Sequence, residues 1–456
     1  MLPMITLVVS LLLRMPCQRA VLSSITLAAG FAGVFIAFNF FVSNINPAVQ
    51  RISEYHGLHF SVLDVGWPPL AAITWASPIA ALAIPVVLLT NVAMLAIGWT
   101  RSIYIDIWNY WHFSLVGALV SASSGSIFLG LAATLLVAVF CFKVSEWMAP
   151  DVEAEMGLKG VTGSPLSGNT LVPYAVCVNW LFDQLPYIRD INYNPQARSK
   201  KTGDDDNIFD LLGEPIFIGF LMGISLAIAA RYTFKDTLEL GVHLAASMFL
   251  LPKSGDLIGE AMSPITQALR SQISRFFPER ENLVVAIDTG FLMSHKSVTS
   301  TGLILMALAL IISLVLPGNS VLPLGDLSNL ISVMSISVLI FRGNVFRAVL
   351  AGIPVVVSFL FISSSMAPLL TRLAKQTPSF HSEGLGLITA FTGGGNQVRF
   401  LVYSLFQAET WAYIVAVFLI FAIYCTKLRS KRVSDELERD SNPAQLRVPV
   451  SSTHVD

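Results

Sequence analysis

Charged side chains are scarce in this chain. Only 12% of its 456 residues are Asp, Glu, Lys or Arg, while 54% are hydrophobic; soluble domains carry roughly 25% charged residues. A water-soluble protein of this size with so few charges would leave a largely apolar surface in contact with water. The net charge is −1, so no basic excess favours a nucleic-acid partner. The composition therefore predicts a membrane protein in a lipid bilayer.

Cysteine is also rare, which excludes several kinds of site. The chain has four cysteines, Cys17, Cys141, Cys177 and Cys425, and their spacing matches neither a disulfide framework nor a zinc or redox motif. The sequence contains no Cys/His cluster, phosphate-binding glycine loop or nucleophile–base pair. We therefore predict no catalytic residue, metal or cofactor, and leave open whether the chain serves an enzymatic reaction. The apolar start predicts no cleaved signal peptide.

Long apolar segments recur along the whole chain. A helix needs about 20 apolar residues to cross a bilayer, and by this criterion we predict about eleven spans. They fall near 2–13, 21–43, 71–99, 103–122, 126–143, 212–230, 237–251, 299–317, 321–341, 345–367 and 407–425. Several are short or interrupted by Gly and Pro, which favours re-entrant segments covered by protein. The pattern predicts an all-α polytopic membrane protein with re-entrant segments.

An Asp-x-Gly-aromatic motif followed by an Asp-x-x-Asn motif occurs twice in this apolar background. Asp-x-Gly-aromatic begins at Asp64 and again at Asp288, 224 residues later. Asp-x-x-Asn begins at Asp106 and again at Asp326, 220 residues later. Two further pairs, Arg14 with Arg231 and Pro47 with Pro264, are each 217 residues apart. Carboxylates that recur beside apolar segments indicate two related halves, an architecture typical of transporters.

The distribution of positive charge predicts the orientation. Four basic residues follow the last predicted span: Lys427, Arg429, Lys431 and Arg432. Because basic residues concentrate on the cytoplasmic side, we expect a cytoplasmic C-terminus. Each half has an odd number of predicted spans, about five by the length criterion. The second half would then enter the membrane from the opposite side, so the repeats are predicted to be inverted.

These patterns divide the chain into five regions. We expect a first transmembrane repeat at 1–143, a cytoplasmic linker at 144–211, a second transmembrane repeat at 212–367, a re-entrant segment with the last span at 368–425, and a cytoplasmic tail at 426–456. The linker is interpreted as a solvated connector or, alternatively, as a docking surface for a soluble partner.

One stretch of the second half has helical spacing of a different kind. Its apolar residues Ile258, Met262, Ile265, Leu269 and Ile273 predict an amphipathic helix on the bilayer surface over 252–282.

Polar side chains inside membrane segments are the candidate binding residues, because burying an ionised Asp there costs roughly 2.5–3.5 kcal/mol. Asp106, Asn109 and His112 fall at i, i+3 and i+6, close to one helical face. A polyol needs such a mixture, since each hydroxyl both donates and accepts hydrogen bonds and aromatic faces cover its carbon chain. Asp64 either caps the helix that follows or contacts substrate.

The remaining candidates follow from position. Glu214 precedes Pro215, which fits either a helix start or a hydroxyl acceptor. Asp288 and Asp326 enter as the repeats of Asp64 and Asp106. The predicted substrate-binding residues are Asp64, Trp67, Asp106, Asn109, His112, Glu214, Asp288 and Asp326.

Several of these motifs carry a family resemblance. The chain resembles the galactitol IIC family, the membrane component of a bacterial phosphotransferase system. The resemblance rests on Leu63–Pro68, Asp106–His112, Gly213–Pro215, Pro317–Asn319, Gly325–Leu327 and Arg342–Arg347, in order and with similar spacing. It covers nearly the whole chain to about residue 425.

The resemblance implies a mechanism and partners. Such IIC proteins are related to ascorbate-type permeases: inner-membrane homodimers of the elevator type, in which a core moves past a dimerising scaffold. It further implies a separate IIB protein, whose phosphocysteine is charged by IIA and which phosphorylates the bound sugar alcohol. Galactitol is the leading substrate, with another hexitol, a pentitol or a related sugar as alternatives. An ion-coupled secondary transporter that leaves its substrate unmodified is the alternative function.

Overall fold

The computed structural model describes residues 2–12, 14–56, 60–104, 106–197, 215–276, 283–377 and 386–441. Of the predicted features, Glu214, residues 198–211 of the predicted linker and the end of the tail from 442 onward lie outside the described residues.

Helices dominate the described part of the first half. Its helices are α1 (Leu2–Leu12), α2 (Cys17–His56), α3 (Trp67–Trp75), α4 (Pro78–Ala96), α5 (Trp111–Ser124), α6 (Ile127–Met156), α7 (Leu166–Asn169), α8 (Val172–Gln184) and α9 (Pro186–Asp190). Its strands are β1 (Val62–Asp64), β2 (Ser102–Ile103) and β3 (Val161–Gly163), and a 3₁₀ segment spans Ile107–Tyr110.

The second half follows nearly the same order of elements. Its helices are α10 (Pro215–Ala229), α11 (Phe234–Phe276), α12 (Lys296–Val315), α13 (Leu330–Ile340), α14 (Val345–Lys375), α15 (Phe391–Gly394), α16 (Gln397–Phe406) and α17 (Thr410–Ser441). Its strands are β4 (Val284–Ile287), β5 (Val321–Leu322) and β6 (Leu387–Thr389). A 3₁₀ segment at Thr289–Ser294 stands where the first half has α3, and another spans Leu327–Asn329.

Local details of the two halves also agree. Arg14 and Arg231 both adopt the left-handed conformation, with φ of 59° and 55°. Each closes the turn that follows a helix, because its N–H donates to the carbonyl three residues earlier, on Leu11 and Ile228 respectively, at 3.0 Å. Few non-glycine residues tolerate this conformation, so the shared turn reflects the same chain reversal in both halves.

Five helices within the described residues are long and apolar enough to cross a membrane. They are Pro78–Ala96, Ile127–Met156, Lys296–Val315, Val345–Lys375 and Thr410–Arg439. The prediction of a helical membrane protein is confirmed at this level, and the count of about eleven spans stays a prediction.

The long apolar segment 71–99 is divided between two helices. α3 ends at Trp75 and α4 begins at Pro78, after Ser77. Proline lacks a backbone N–H and suits the first turn of a helix but not its interior. The sequence Ala76-Ser77-Pro78 therefore ends one helix and starts the next.

Short parallel strands join the two halves. One sheet has the order β5–β1–β6 and the other β2–β4–β3. Asp64 is paired with Thr389 in the first sheet, and Thr162 with Ala286 in the second. In each sheet the central strand comes from one half and both outer strands come from the other half. The strands thus interlock the halves. Each central strand leads into an Asp motif, since β1 ends at Asp64 and β4 ends directly before Asp288.

The predicted linker contributes to the core. Residues 144–156 continue α6, and β3, α7 and α8 follow with Leu166, Val172 and Ala175 buried. Asp151, fully buried on α6, forms an ion pair of 2.6 Å with Arg429 on α17. This part of 144–211 is packed between other elements, in contrast to the solvated connector that the sequence suggested.

The helices α2, α10 and α11 pack mainly against one another. A Cβ on Gly223 of α10 would lie 2.6 Å from the Cα atom of Gly241 on α11, so these two helices approach to backbone contact. The segment 252–276, predicted as a surface helix, is the continuation of α11.

Candidate functional site

Two clusters of paired aspartates lie where the strands end. In the first, the chain leaves β1 at Asp64 and turns at Gly66, whose φ is +76°. A Cβ on Gly66 would collide with the carbonyl oxygen of Gly325. Glycine is therefore required twice here, for its conformation and for the close approach of the two halves. The approach brings Asp64 beside Asp326.

Every carboxylate oxygen of this first cluster accepts at least one hydrogen bond from the protein. Asp64 Oδ1 accepts from the N–H groups of Gly66 (3.1 Å) and Phe391 (3.0 Å), and its Oδ2 accepts from that of Asp326 (3.0 Å). Asp326 Oδ1 accepts from the Trp67 N–H at 3.1 Å. Asp326 Oδ2 accepts from the Thr392 N–H at 2.9 Å and also from its hydroxyl. Both carboxylates are 1% exposed, so we call this the closed cluster.

The second cluster repeats the arrangement with the halves exchanged. Asp288 Oδ1 accepts from the Gly290 N–H at 2.9 Å, as Asp64 does from Gly66. The Asn109 side-chain amide donates to Asp106 Oδ2 at 2.7 Å and to Asp288 Oδ2 at 3.0 Å. The Ser164 hydroxyl donates to Asp106 Oδ2 at 2.6 Å. Asp64 and Asp288 thus occupy equivalent places, as do Asp326 and Asp106.

The second cluster differs from the first in accessibility. Asp288 is exposed and Asp106 is half-buried. Asp106 Oδ1 accepts no hydrogen bond from the residues that the structure describes. Unused acceptor atoms at an accessible carboxylate can receive hydrogen bonds from a ligand. We call this group, Asp106, Asn109, Ser164 and Asp288, the open cluster.

Three tryptophans lie between the clusters. The rings of Trp67 and Trp108 meet edge to face with centroids 6.4 Å apart, and those of Trp75 and Trp108 stack at 6.3 Å. The backbone of Trp67 is bound to the closed cluster, and Trp108 lies between Asp106 and Asn109 in sequence. Binding sites for small ligands typically combine aromatic walls with a few placed polar groups, and this group has that composition.

A buried basic residue stands beside these elements. Arg399 on α16 is 1% exposed. Its Nη2 is 3.4 Å from His112 Nδ1 and 3.5 Å from the His112 carbonyl oxygen, and its guanidinium lies 5.9 Å from the centre of the Trp111 ring. Its Nε and Nη1 atoms have no hydrogen-bond partner among the described residues. His112 is itself buried.

The structure therefore sorts the predicted site residues into groups. Asp64, Trp67 and Asp326 belong to or adjoin the closed cluster, while Asp106, Asn109 and Asp288 form the open cluster. His112 lies against Arg399, and Glu214 lies outside the described residues. Asp64 does not cap α3 with its side chain. Its carboxylate instead holds the turn before that helix and the segment at Phe391.

Sequence reasoning missed Ser164, Thr392 and Arg399. A third repeated motif could have located the first two: Thr162 is followed by Gly168-Asn169, and Thr389 by Gly395-Asn396 with the same spacing. The motifs begin within β3 and β6, each of which is an outer strand of its sheet. Arg399 could have been found as a lone charge in an apolar segment, which is a functional signal in membranes.

Comparisons with known proteins agree with this architecture. The family model described as EIIC-GAT, PTS system sugar-specific permease component, matches residues 1–384. The PTS system galactitol-specific EIIC component of Escherichia coli K12 is 32% identical over 426 residues, which cover 93% of this chain and 92% of that protein. The protein of the same name from Escherichia coli O157:H7 matches with the same identity and coverage. The chain therefore belongs to the EIIC-GAT family of sugar-specific permease components of the phosphotransferase system.

Proposed function

We propose that this chain binds galactitol at the open cluster and carries it across the bacterial inner membrane for phosphorylation by a separate IIB protein. The observation that carries the proposal is the accessible, incompletely hydrogen-bonded Asp106 carboxylate beside Asn109, Asp288 and the tryptophans. The galactitol-specific relatives support the choice of substrate.

The chemistry of the open cluster fits a sugar alcohol. When ionised, the Asp106 and Asp288 carboxylates accept hydrogen bonds and cannot donate them, so they pair with the O–H groups of a polyol. Hydrogen bonds to charged groups contribute about 1.5–3 kcal/mol each. The tryptophan rings offer an apolar surface for the carbon chain. This combination suits an uncharged, many-hydroxyl ligand better than an anion.

In the proposed function this polypeptide carries out transport, and its partners carry out the phosphorylation. We infer that IIB donates the phosphoryl group from its phosphocysteine to a hydroxyl of the bound polyol, and that IIA recharges IIB. The product would then be released into the cytoplasm as a phosphate ester. This division of labour is supported by the family description of the chain as the permease component.

Inverted repeats and an elevator movement are part of the proposal. The nearly identical order of elements, the exchange of strands between halves and the paired aspartate clusters all support a pseudo-two-fold relation. Inverted repeats place substrate at the repeat interface, where both clusters lie. We assign α2, α10 and α11 to a scaffold through which two copies form a homodimer, and the sheet-bearing elements to the moving core.

The proposed orientation rests on a network of ion pairs at one end of the core. Arg342 pairs with Glu155 at 3.7 Å and with Glu436 at 3.5 Å, so the ends of α6 and α17 lie on the same side as the start of α14. Arg429 also belongs to this end through Asp151. By the positive-inside rule we place this end, and with it the C-terminus, in the cytoplasm.

Uptake measured with a variant and competitors tests the proposal. The Asp106→Ala variant should abolish uptake of labelled galactitol while the protein still inserts in the membrane at the wild-type level. Unlabelled galactitol should compete better than other hexitols or pentitols. Normal uptake by Asp106→Ala would contradict the site, and preferential competition by another polyol would contradict the substrate.

A further inference from the structure

Arg399 has a combination of properties that packing alone does not explain. It is a guanidinium with 1% exposure, placed in the first turn of α16, where it lies against Trp111 and His112 of α5. Arginine carries five N–H donors and no acceptor. The donors on Nε and Nη1 have no partner in the described part of the chain. Leaving buried donors unsatisfied costs free energy, so a partner for them is expected from outside the protein fold.

The nearby closed cluster leaves the free donors of Arg399 unused. Every oxygen of Asp326 already accepts hydrogen bonds, from Trp67, Thr392 and Gly393. The Nε and Nη1 donors of Arg399 therefore still need acceptors.

Arg399 contacts the start of α5, which follows the segment that carries Asn109 of the open cluster. Its guanidinium lies over Trp111. A Cβ placed on Gly393 would lie 3.9 Å from Trp111, and the Gly393 N–H donates to Asp326 in the closed cluster. On the other side, His112 follows the 3₁₀ segment that carries Trp108 and Asn109. Arg399 thus lies beside elements that carry residues of both clusters.

We propose that Arg399 is a substrate-binding residue whose guanidinium donates hydrogen bonds to hydroxyl oxygens of the polyol. The inference rests on the proposed function of the chain. The Asp106 and Asp288 carboxylates accept from hydroxyl protons, and Arg399 supplies donors that they lack. An anion such as a sugar acid would also meet the Asp106 and Asp288 carboxylates of the open cluster, which repel it.

A purely structural role for Arg399 makes a different prediction. If the side chain only held α16 against α5, its replacement would weaken the binding of every ligand by the same factor. If it donates to one or two particular hydroxyls, the effect must depend on whether the ligand has them. A binding cycle with deoxy ligands separates the two, because it measures the coupling between one side chain and one hydroxyl.

The experiment measures equilibrium binding to the purified full-length protein in lipid nanodiscs. The ligands are galactitol and a series of deoxygalactitols, each with one hydroxyl replaced by hydrogen. For wild type, at least one deoxy ligand should bind about tenfold or more weakly than galactitol, as expected for a lost hydrogen bond to a charged group. For Arg399→Gln, the same deoxy ligand and galactitol should bind within about threefold of each other.

A matched control is provided by Arg347, which lies in the first turn of α14 with most of its side chain buried. Its Nη1 donates to Asn179 at 2.9 Å and to Asp183 at 2.8 Å, whereas Nη1 of Arg399 has no partner among the described residues; Nε is unpartnered there in both arginines. The Arg347→Gln variant should retain the wild-type pattern of losses over the deoxy series. If Arg399→Gln fails to fold, Arg399→Lys, which keeps the charge with fewer donors, should show a reduced coupling at the same hydroxyl.

Three results would overturn the inference. Equal losses for wild type and both Arg399 variants at every hydroxyl would give Arg399 a structural role. Tighter wild-type binding of galactonate than of galactitol, lost in Arg399→Gln, would make it an anion site. Absence of polyol binding by wild type would instead refute the proposed function itself, and the inference with it.

Discussion

The two Asp-x-x-Asn motifs offer a direct test of which cluster binds substrate. Asn109 and Asn329 hold equivalent places in the two motifs, but their amide groups have different partners. Asn109 Nδ2 donates to the carboxylates of Asp106 and Asp288, at 2.7 and 3.0 Å. Asn329 Nδ2 donates to the hydroxyl of Thr392 at 2.8 Å. The same substitution to Ala therefore removes very different interactions.

The expected magnitudes follow from these partners. A hydrogen bond to a charged group contributes about 1.5–3 kcal/mol and a neutral one about 1 kcal/mol. Asn109→Ala removes two charged hydrogen bonds and leaves two carboxylates without the donor that joins them. The two carboxylates are then misplaced, and loss of one charge-assisted hydrogen bond to a ligand hydroxyl should cost about 1.5–3 kcal/mol of polyol binding, or roughly 10- to 150-fold in affinity. Asn329→Ala should weaken binding by no more than about fivefold.

Galactitol binding to purified variants, measured by isothermal titration calorimetry, checks this prediction. Thermal unfolding of the same samples serves as the control, because both variants should remain folded before binding is compared. A larger loss of affinity for Asn329→Ala than for Asn109→Ala would refute the assignment of the open cluster as the substrate site. Equal small losses would refute it as well.

Other substitutions separate structural from binding carboxylates. Asp64→Asn should lower the free energy of unfolding by about 2 kcal/mol, since an amide hydrogen would face N–H donors. Asp106→Asn should instead reduce galactitol affinity at nearly unchanged melting temperature. The reverse pattern would contradict a structural role for Asp64 and a binding role for Asp106. Gly66→Ala should reduce the yield of folded protein, because it combines a positive φ with a backbone collision; wild-type yield in fluorescence-detected gel filtration would argue against the tight crossing. Arg429→Met should destabilise by about 3–5 kcal/mol by leaving the Asp151 carboxylate buried and unpaired, and an unchanged melting curve would show that this ion pair is dispensable.

Local sequence patterns predicted the class of the protein better than its long-range contacts. Apolar composition and segment length indicate membrane helices because they report on the solvent that surrounds each segment. The repeated Asp motifs identified residues that the fold gathers. Asp64 pairs with Asp326, and Asp106 with Asp288, across the two halves. In the first cluster this pairing depends on parallel strands whose residues are 259 or more positions apart in the sequence. No local periodicity encodes such a contact.

The parts that were missed have identifiable physical reasons. The polar linker suggested solvent exposure, but its first half is held by buried contacts such as Asp151 with Arg429, which joins residues 278 positions apart. The break between Trp75 and Pro78 was concealed by continuous hydrophobicity, although Pro78 itself signalled it. Arg399 was overlooked because a single charged residue forms no repeated motif in the sequence.

The most direct test of the account is the chemical form of galactitol that cells accumulate through this chain. Cells expressing it with its cognate IIA and IIB should convert labelled external galactitol to galactitol phosphate, and cells expressing the chain without IIB should accumulate no label. Accumulation of free galactitol without IIA and IIB would contradict group translocation and identify the chain as an ion-coupled secondary transporter.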